Sequence, residues 1–200
     1  MMSDMRQRIL TAATHLFARR GYEGTSVQAI SEAVGIRKPS LLYHFPSKSE
    51  LRDAVLESLL SRWGDVVPRV MTAATTGENR FESTLAEVLA FFEADPDRAR
   101  LLWREMLDRP EALQALLSAH LSPWIGLVSS TIRQGQREGI IHADLDPEAW
   151  IFWVITMAVG GLSASGLSGV FSEDSPERRR VELIRLARVS LFITAHPQGA

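Results

Sequence analysis

The eight residues Lys38-Pro39-Ser40-Leu41-Leu42-Tyr43-His44-Phe45 gather a cation, a hydroxyl, a phenol and an imidazole in one short stretch. Groups of these kinds bond to phosphate oxygens and to the edges of bases. Leu41 and Phe45 lie four apart, so in a helix they share one buried face. That leaves Lys38, Ser40, Leu42, Tyr43 and His44 as candidates for contact with DNA. Both lysines of the chain, Lys38 and Lys48, fall in this segment, while the other 20 basic residues are arginines. Helix starts at Thr25–Val27 and at Lys48 add free N–H groups and a dipole that favour phosphate. Taken singly, Thr25 is an ordinary cap and Lys48 an ordinary solvated side chain. Their combined spacing carries the reading.

Other chemistry finds little support. The histidines are His15, His44, His120, His142 and His196, and none forms an H-x-x-x-H or H-E-x-x-H pair. Nothing in the spacing of His120 and His142 requires a shared metal. The chain has no cysteine, no G-x-S-x-G and no P-loop. An enzyme, a cofactor and a metal site are therefore not expected.

The elements that must position these residues read as helices throughout. Ser3 or Asp4 is expected to cap the first, with Ile9, Leu10, Ala13, Leu16 and Phe17 at helical spacing before Gly21. Thr25 and Gln28 fit a capping box for a second helix over 26–34, ended by Gly35. A turn at 35–37 leads to a third helix over 38–44, with Pro39 in its first turn. That is helix-turn-helix spacing, in which the second helix enters the major groove. Ser47 and Glu50 cap a long fourth helix, which Pro68 is expected to kink or end. Further helices follow at Phe81, Asp95-Pro96, Glu111, Asp146-Pro147 and Ser175-Pro176, with an interruption expected at Ser122-Pro123. No strand pattern appears. The expectation is an all-α chain of about nine helices, divided into a helix-turn-helix domain at 1–47 and a helical domain at 48–200.

Residues 6 to 55 resemble the DNA-binding region of TetR/AcrR-type bacterial transcriptional regulators. The resemblance rests on Ile9-Leu10, Ala12-Ala13, Leu16-Phe17, Gly21-Tyr22 and Thr25-Ser26-Val27. It continues through Ile30, Ala33-Val34-Gly35-Ile36, Leu41, Tyr43-His44-Phe45, Ser47-Lys48 and Leu51. It implies that Thr25 and Ser26 hold a phosphate and that Lys38, Pro39, Ser40, Tyr43 and His44 sit against the DNA. Lys48 would clamp a second phosphate. Where the family often has Tyr, this chain has Leu42, which either touches a thymine methyl or packs.

The remaining helices correspond in number and order to the family's ligand-binding and dimerisation domain. All five tryptophans lie beyond residue 60. They fill a core, or some of them line a pocket for a small inducer. The resemblance makes Trp63, Phe92, Trp103, His120 and Trp124 the pocket candidates, with Arg104 as a partner for an anion. A mainly apolar or aromatic ligand is expected, a fatty-acyl compound being one example. Gly160, Ala164 and Ser168 lie four apart, as do Gly161, Ser165 and Gly169, and small residues let helices approach closely. In the family the last two long helices form a four-helix dimer interface. Trp153, Met157, Gly161, Ser165, Leu186 and Val189 are the expected contacts. Such a homodimer would present two recognition helices roughly 34 Å apart to double-stranded palindromic operator DNA. Repression is the family's usual mode. An activator of the same fold and a non-regulatory DNA-binding protein are the alternatives.

Ala149 to Ser172 carry no charge, but only Ala149 to Leu162 are densely apolar. A spanning helix needs roughly 20 mainly apolar residues, so a buried or interface helix is expected and no membrane partner. No secretory signal is visible at the polar N-terminus, and a cytoplasmic location is expected. The net charge of −2 hides an uneven distribution. Residues 1–50 hold 7 basic and 4 acidic side chains, a net of +3, and residues 51–200 hold 15 and 20, a net of −5. A modestly basic head is joined to an acidic body.

Overall fold

The computed structural model describes residues 2–75, 80–164, 170 and 175–193. Ser165, Ser168, Gly169 and His196 lie outside the described residues. The first four helices are α1 (Met2–Arg20), α2 (Val27–Val34), α3 (Lys38–His44) and α4 (Lys48–Thr75). After them come α5 (Arg80–Glu93), α6 (Pro96–Asp108), α7 (Pro110–Arg137), α8 (Pro147–Ser163) and α9 (Pro176–Leu191). Among the described residues no strand forms, and one antiparallel bridge pairs Ile141 with Phe192.

The caps explain most boundaries. Asp95, Asp146 and Ser175 each accept a first-turn N–H, and each precedes a proline at the start of its helix. Gly35 ends α2 at φ 78°, a left-handed conformation that favours glycine, and its N–H reaches Glu32 O. Ser47 Oγ accepts the Glu50 N–H at 3.1 Å, as the capping-box reading requires.

Four expectations need correction. α1 begins at Met2, so Ser3 and Asp4 lie within its first turn. The cap of α2 is Ser26, not Thr25: Ser26 Oγ accepts the Ala29 N–H at 3.0 Å. Pro68 does not end α4, and Pro123 does not end α7. Each of these prolines removes one ladder bond from a helix of 28 residues. Packing of α4 on α5, and of α7 on α6 and α8, holds the line on either side.

α1 is the hub of the N-terminal end, packing against α2, α4 and α6. α6 and α7 pack on α8, and α9 lies against α5 and α8. One core runs from Ile9, Phe17 and Ile30 through Leu41, Phe45, Leu51 and Val55 to Trp63, Phe92, Leu101 and Val159. The first three helices therefore share their apolar interior with α4–α8. Two smaller clusters sit further along. One joins Leu89, Val154 and Ala187, and the other joins Ile132, Ile141, Ile151 and Leu191. Among the described residues α7 is the one helix long and apolar enough, by length and composition, to cross a membrane. It packs here on α6 and α8 with Leu113 and Ile132 buried.

Candidate functional site

Burial of Leu41 and Phe45 fixes which way α3 faces. Lys38, Pro39 and Ser40 are exposed on the other side, Tyr43 is 76% exposed, and Leu42 and His44 are half-buried. The Tyr43 and His44 rings meet edge to face, with centroids 5.5 Å apart. Among the described residues, no hydrogen bond or ion pair ties down the Lys38 or Ser40 side chain. The face thus offers its donors outward. Arg37, exposed at the N-cap position without a side-chain capping bond, adds a cation beside Lys38. The sequence reading begins at Lys38 and passes over it, although its place just ahead of Lys38-Pro39 is a legible signal.

Short helices bury little area, and polar clamps hold this pair in place. Arg8 Nη2 donates to Val34 O at 2.9 Å, closing the end of α2. Arg104 donates from Nε to Ala18 O at 2.8 Å and from Nη2 to Arg19 O at 3.1 Å, closing the end of α1. Gly21, at φ 77°, follows directly, and a Cβ there would come 3.2 Å from Arg104 Nη1. Thr25 is fully buried, and its hydroxyl donates to Gly21 O at 2.8 Å. Its hydroxyl is thus spent on the α1–α2 turn, which removes Thr25 from the expected phosphate contacts. Ser26 stays exposed, and its cap uses the oxygen only as an acceptor, so the hydroxyl proton remains available. The first-turn amides of Val27 and Gln28 beside it have no partner within the helix.

Lys48 opens α4, with Nζ 4.1 Å from the centre of the Tyr22 ring. Arg109, at the α6–α7 junction, places its guanidinium carbon 4.3 Å from the same ring. Such cation–aromatic contacts hold Lys48 at the edge of the helix-turn-helix. Just inside, Arg52 of α4 donates from Nε (2.9 Å) and Nη2 (2.6 Å) to Glu105 Oε2 of α6. Both side chains are only 5% exposed. Burial opposes the Arg52 charge. The Glu105 hydrogen bonds and charge, with help from Asp53, nonetheless hold its pKa above the ordinary arginine value.

The expected ligand residues divide. Trp63 and Phe92 are buried in the core, and Trp63 meets Trp124 edge to face at 6.0 Å. Their two indole N–H groups are buried without an acceptor among the described residues. Trp103 packs on α8, where a Cβ on Gly160 would come 3.4 Å from its ring. Arg104 is the clamp on α1, and His120 is exposed. These two do not join the tryptophans: Arg104 is drawn to the end of α1 and His120 faces solvent.

α8 and α9 present a second exposed face, and it is apolar. Phe152 (57%), Trp153 (61%), Met157 (41%), Leu186 (47%) and Val189 (50%) are all exposed. Trp150 Nε1 donates to Ser190 Oγ at 2.9 Å, fastening the two helices together. Gly161 is exposed, and among the described residues nothing stands within 4 Å of where its Cβ would be. Gly160 instead faces Trp103 of its own chain, so the two glycines point in different directions.

A buried Leu41 and Phe45 beneath an outward Tyr43, on two short helices joined by a glycine turn, define a helix-turn-helix DNA-binding protein. Residues 9–55 match the tetR family of bacterial regulatory proteins. Residues 102–178 match the tetracyclin repressor-like C-terminal domain. The HTH-type transcriptional regulator RutR of Escherichia coli K12 is 31% identical over 157 residues, covering 76% of this chain and 71% of RutR. The biofilm operon icaADBC HTH-type negative transcriptional regulator IcaR of Staphylococcus epidermidis is 27% identical over 192 residues, covering 94% and 99%. The ketosteroid transcriptional regulator KstR2 of Mycobacterium tuberculosis shares the fold, with a TM-score of 0.70 at 18% identity over 94% of this chain and 95% of that one. The chain belongs to the TetR family of helix-turn-helix transcriptional regulators. Members of that family are DNA-binding regulators rather than enzymes; they bind small molecules and function as dimers.

Proposed function

We propose that the protein is a cytoplasmic repressor, a homodimer that binds a palindromic operator and is released by a small, mainly apolar or aromatic inducer. The observation that carries this reading is the outward face of α3, with Tyr43 76% exposed above a buried Leu41. Residues 1–47 serve as the DNA-reading domain and residues 48–200 as the domain for ligand and dimer. Lys38, Pro39, Ser40, Leu42, Tyr43 and His44 meet the groove, and Ser26 and Lys48 take phosphates. The exposed α8–α9 face with Trp153, Met157, Gly161, Leu186 and Val189 supports pairing of two copies. The unpaired indoles of Trp63 and Trp124, with Phe92 and Trp103 nearby in the same core, support a ligand that brings an acceptor on an apolar body. IcaR, named a negative regulator, favours repression over activation.

Release requires that the ligand bind the DNA-competent and the released arrangement with different affinity. Footprinting on the DNA upstream of the protein's own gene tests the reading. A discrete protected palindrome is expected. Uniform protection of unrelated sequence at the same protein concentration and salt would overturn it.

A further inference from the structure

A cavity of about 150 Å³ lies where α1, α4 and the start of α6 meet. That is about five waters' share of liquid volume. It is distant in kind from the tryptophan core, being lined largely by polar side chains. α1 turns Thr11 and His15 into it, α4 contributes Ser58 and Arg62, and α6 contributes Asp97 and Arg98. Ser58 and Arg62 are four apart, on one face of α4.

The carboxylates here are already engaged. Asp97 Oδ2 lies 2.6 Å from His15 Nδ1, and its Oδ1 lies 3.2 Å from Arg100. Asp95 accepts the Asp97 N–H as the cap of α6 and lies 3.6 Å from Arg98 Nε. Of the two arginines that line the cavity, Arg98 is the one that shares a carboxylate. Among the described residues Arg62 has no ion-pair or hydrogen-bond partner. Arg98 gives one N–H to Phe91 O at 2.6 Å and stacks on the Phe91 ring, which leaves further donors on its guanidinium. Burial pushes the Arg98 pKa below the ordinary value; Asp95 opposes this, and the like charge of Arg62 adds to the lowering. Two arginines thus share one small polar cavity with Asp95 and Asp97, beside the Ser58 and Thr11 hydroxyls, which bond to no partner among the described residues.

We infer that this cavity is a binding site for a small oxyanion, a phosphate or a carboxylate, held by Arg62 and Arg98 with Ser58 and Thr11 as donors. The anion relieves the like-charge contact and ties α1, which carries the DNA-reading helices, to α4 and α6. The site is separate from the inducer pocket and does not rest on the repressor reading.

The test uses the full chain and two probes, inorganic phosphate and acetate, each against chloride at equal ionic strength. Arginine side-chain Nε–Hε NMR signals are followed, with melting temperature as a second readout. Saturable movement of the Arg62 and Arg98 signals and a rise in melting temperature are expected. Arg62→Gln should weaken binding at least tenfold while melting normally in chloride. Lys48→Gln, which removes a cation from the DNA face, should bind as the wild type does. Response to phosphate alone assigns a phosphate ligand, and response to acetate alone assigns a carboxylate. No saturable response beyond chloride, undiminished binding by Arg62→Gln, or loss of binding only in Lys48→Gln would overturn the site.

Discussion

The two exposed faces of this molecule are built on opposite principles. At the α2–α3 end the helices have 8 and 7 residues and bury few side chains. Polar groups do the positioning there: Thr25 on Gly21 O, Arg8 on Val34 O, Arg104 on Ala18 O. At the α8–α9 end the helices have 17 and 16 residues and more apolar surface than the described residues cover. The same property, exposure, therefore signals different things. An exposed Tyr43 among polar neighbours is, under the proposed function, a DNA-contacting group. Exposed Phe152, Trp153 and Val189 make the apolar face that the proposed function assigns to pairing.

This contrast can be broken experimentally. The largest effect is expected from Glu105→Ala, which leaves the buried Arg52 with only the exposed Asp53 as a carboxylate partner. Such losses cost about 3–5 kcal/mol, and denaturant unfolding should show it; a cost below about 1 kcal/mol would mean that polar contacts do not support this end. Gly161→Arg acts at the other end, where among the described residues nothing stands within 4 Å of the Cβ position. It should give monomers in sedimentation and weaken operator binding about 10²-fold or more, through loss of the paired second head. Dimers that persist would remove the α8–α9 face as the interface. Tyr43→Ala should cost about 1–3 kcal/mol of operator affinity, with unfolding unchanged within about 0.5 kcal/mol; unaltered affinity would take Tyr43 out of the reading set. The smallest effect is Ser26→Ala, about 1 kcal/mol of stability through the lost cap, checked by thermal unfolding.

Much of the fold was legible because helix ends carry local signals. Asp95-Pro96, Asp146-Pro147 and Ser175-Pro176 mark starts that need no tertiary information. The α3 face was legible for a similar reason, since Leu41 and Phe45 orient everything between them. Errors arose where distant contacts decide. Thr25 and Ser26 are adjacent hydroxyls that both suit a cap, and only α1 packing assigns Thr25 inward. Pro68 and Pro123 are breakers by local rule, yet long helices with packed flanks absorb them. Arg104 looked like a ligand group because its partners, Ala18 and Arg19, stand more than 80 residues away in sequence. Gly160 and Gly161 are equivalent by spacing, and only Trp103 tells them apart.

The continuous interior running from Ile9 to Val159 has a consequence for how such regulators can be rebuilt. A cut at residue 47 would strip Leu41 and Phe45 of Leu51 and Val55, so the reading unit is a functional division and not a folding one. Grafting another protein's helix-turn-helix onto this body is therefore a repacking problem, in which the first two turns of α4 must travel with the graft. Melting should accordingly follow one transition whether it is watched at Tyr43 or at the tryptophans.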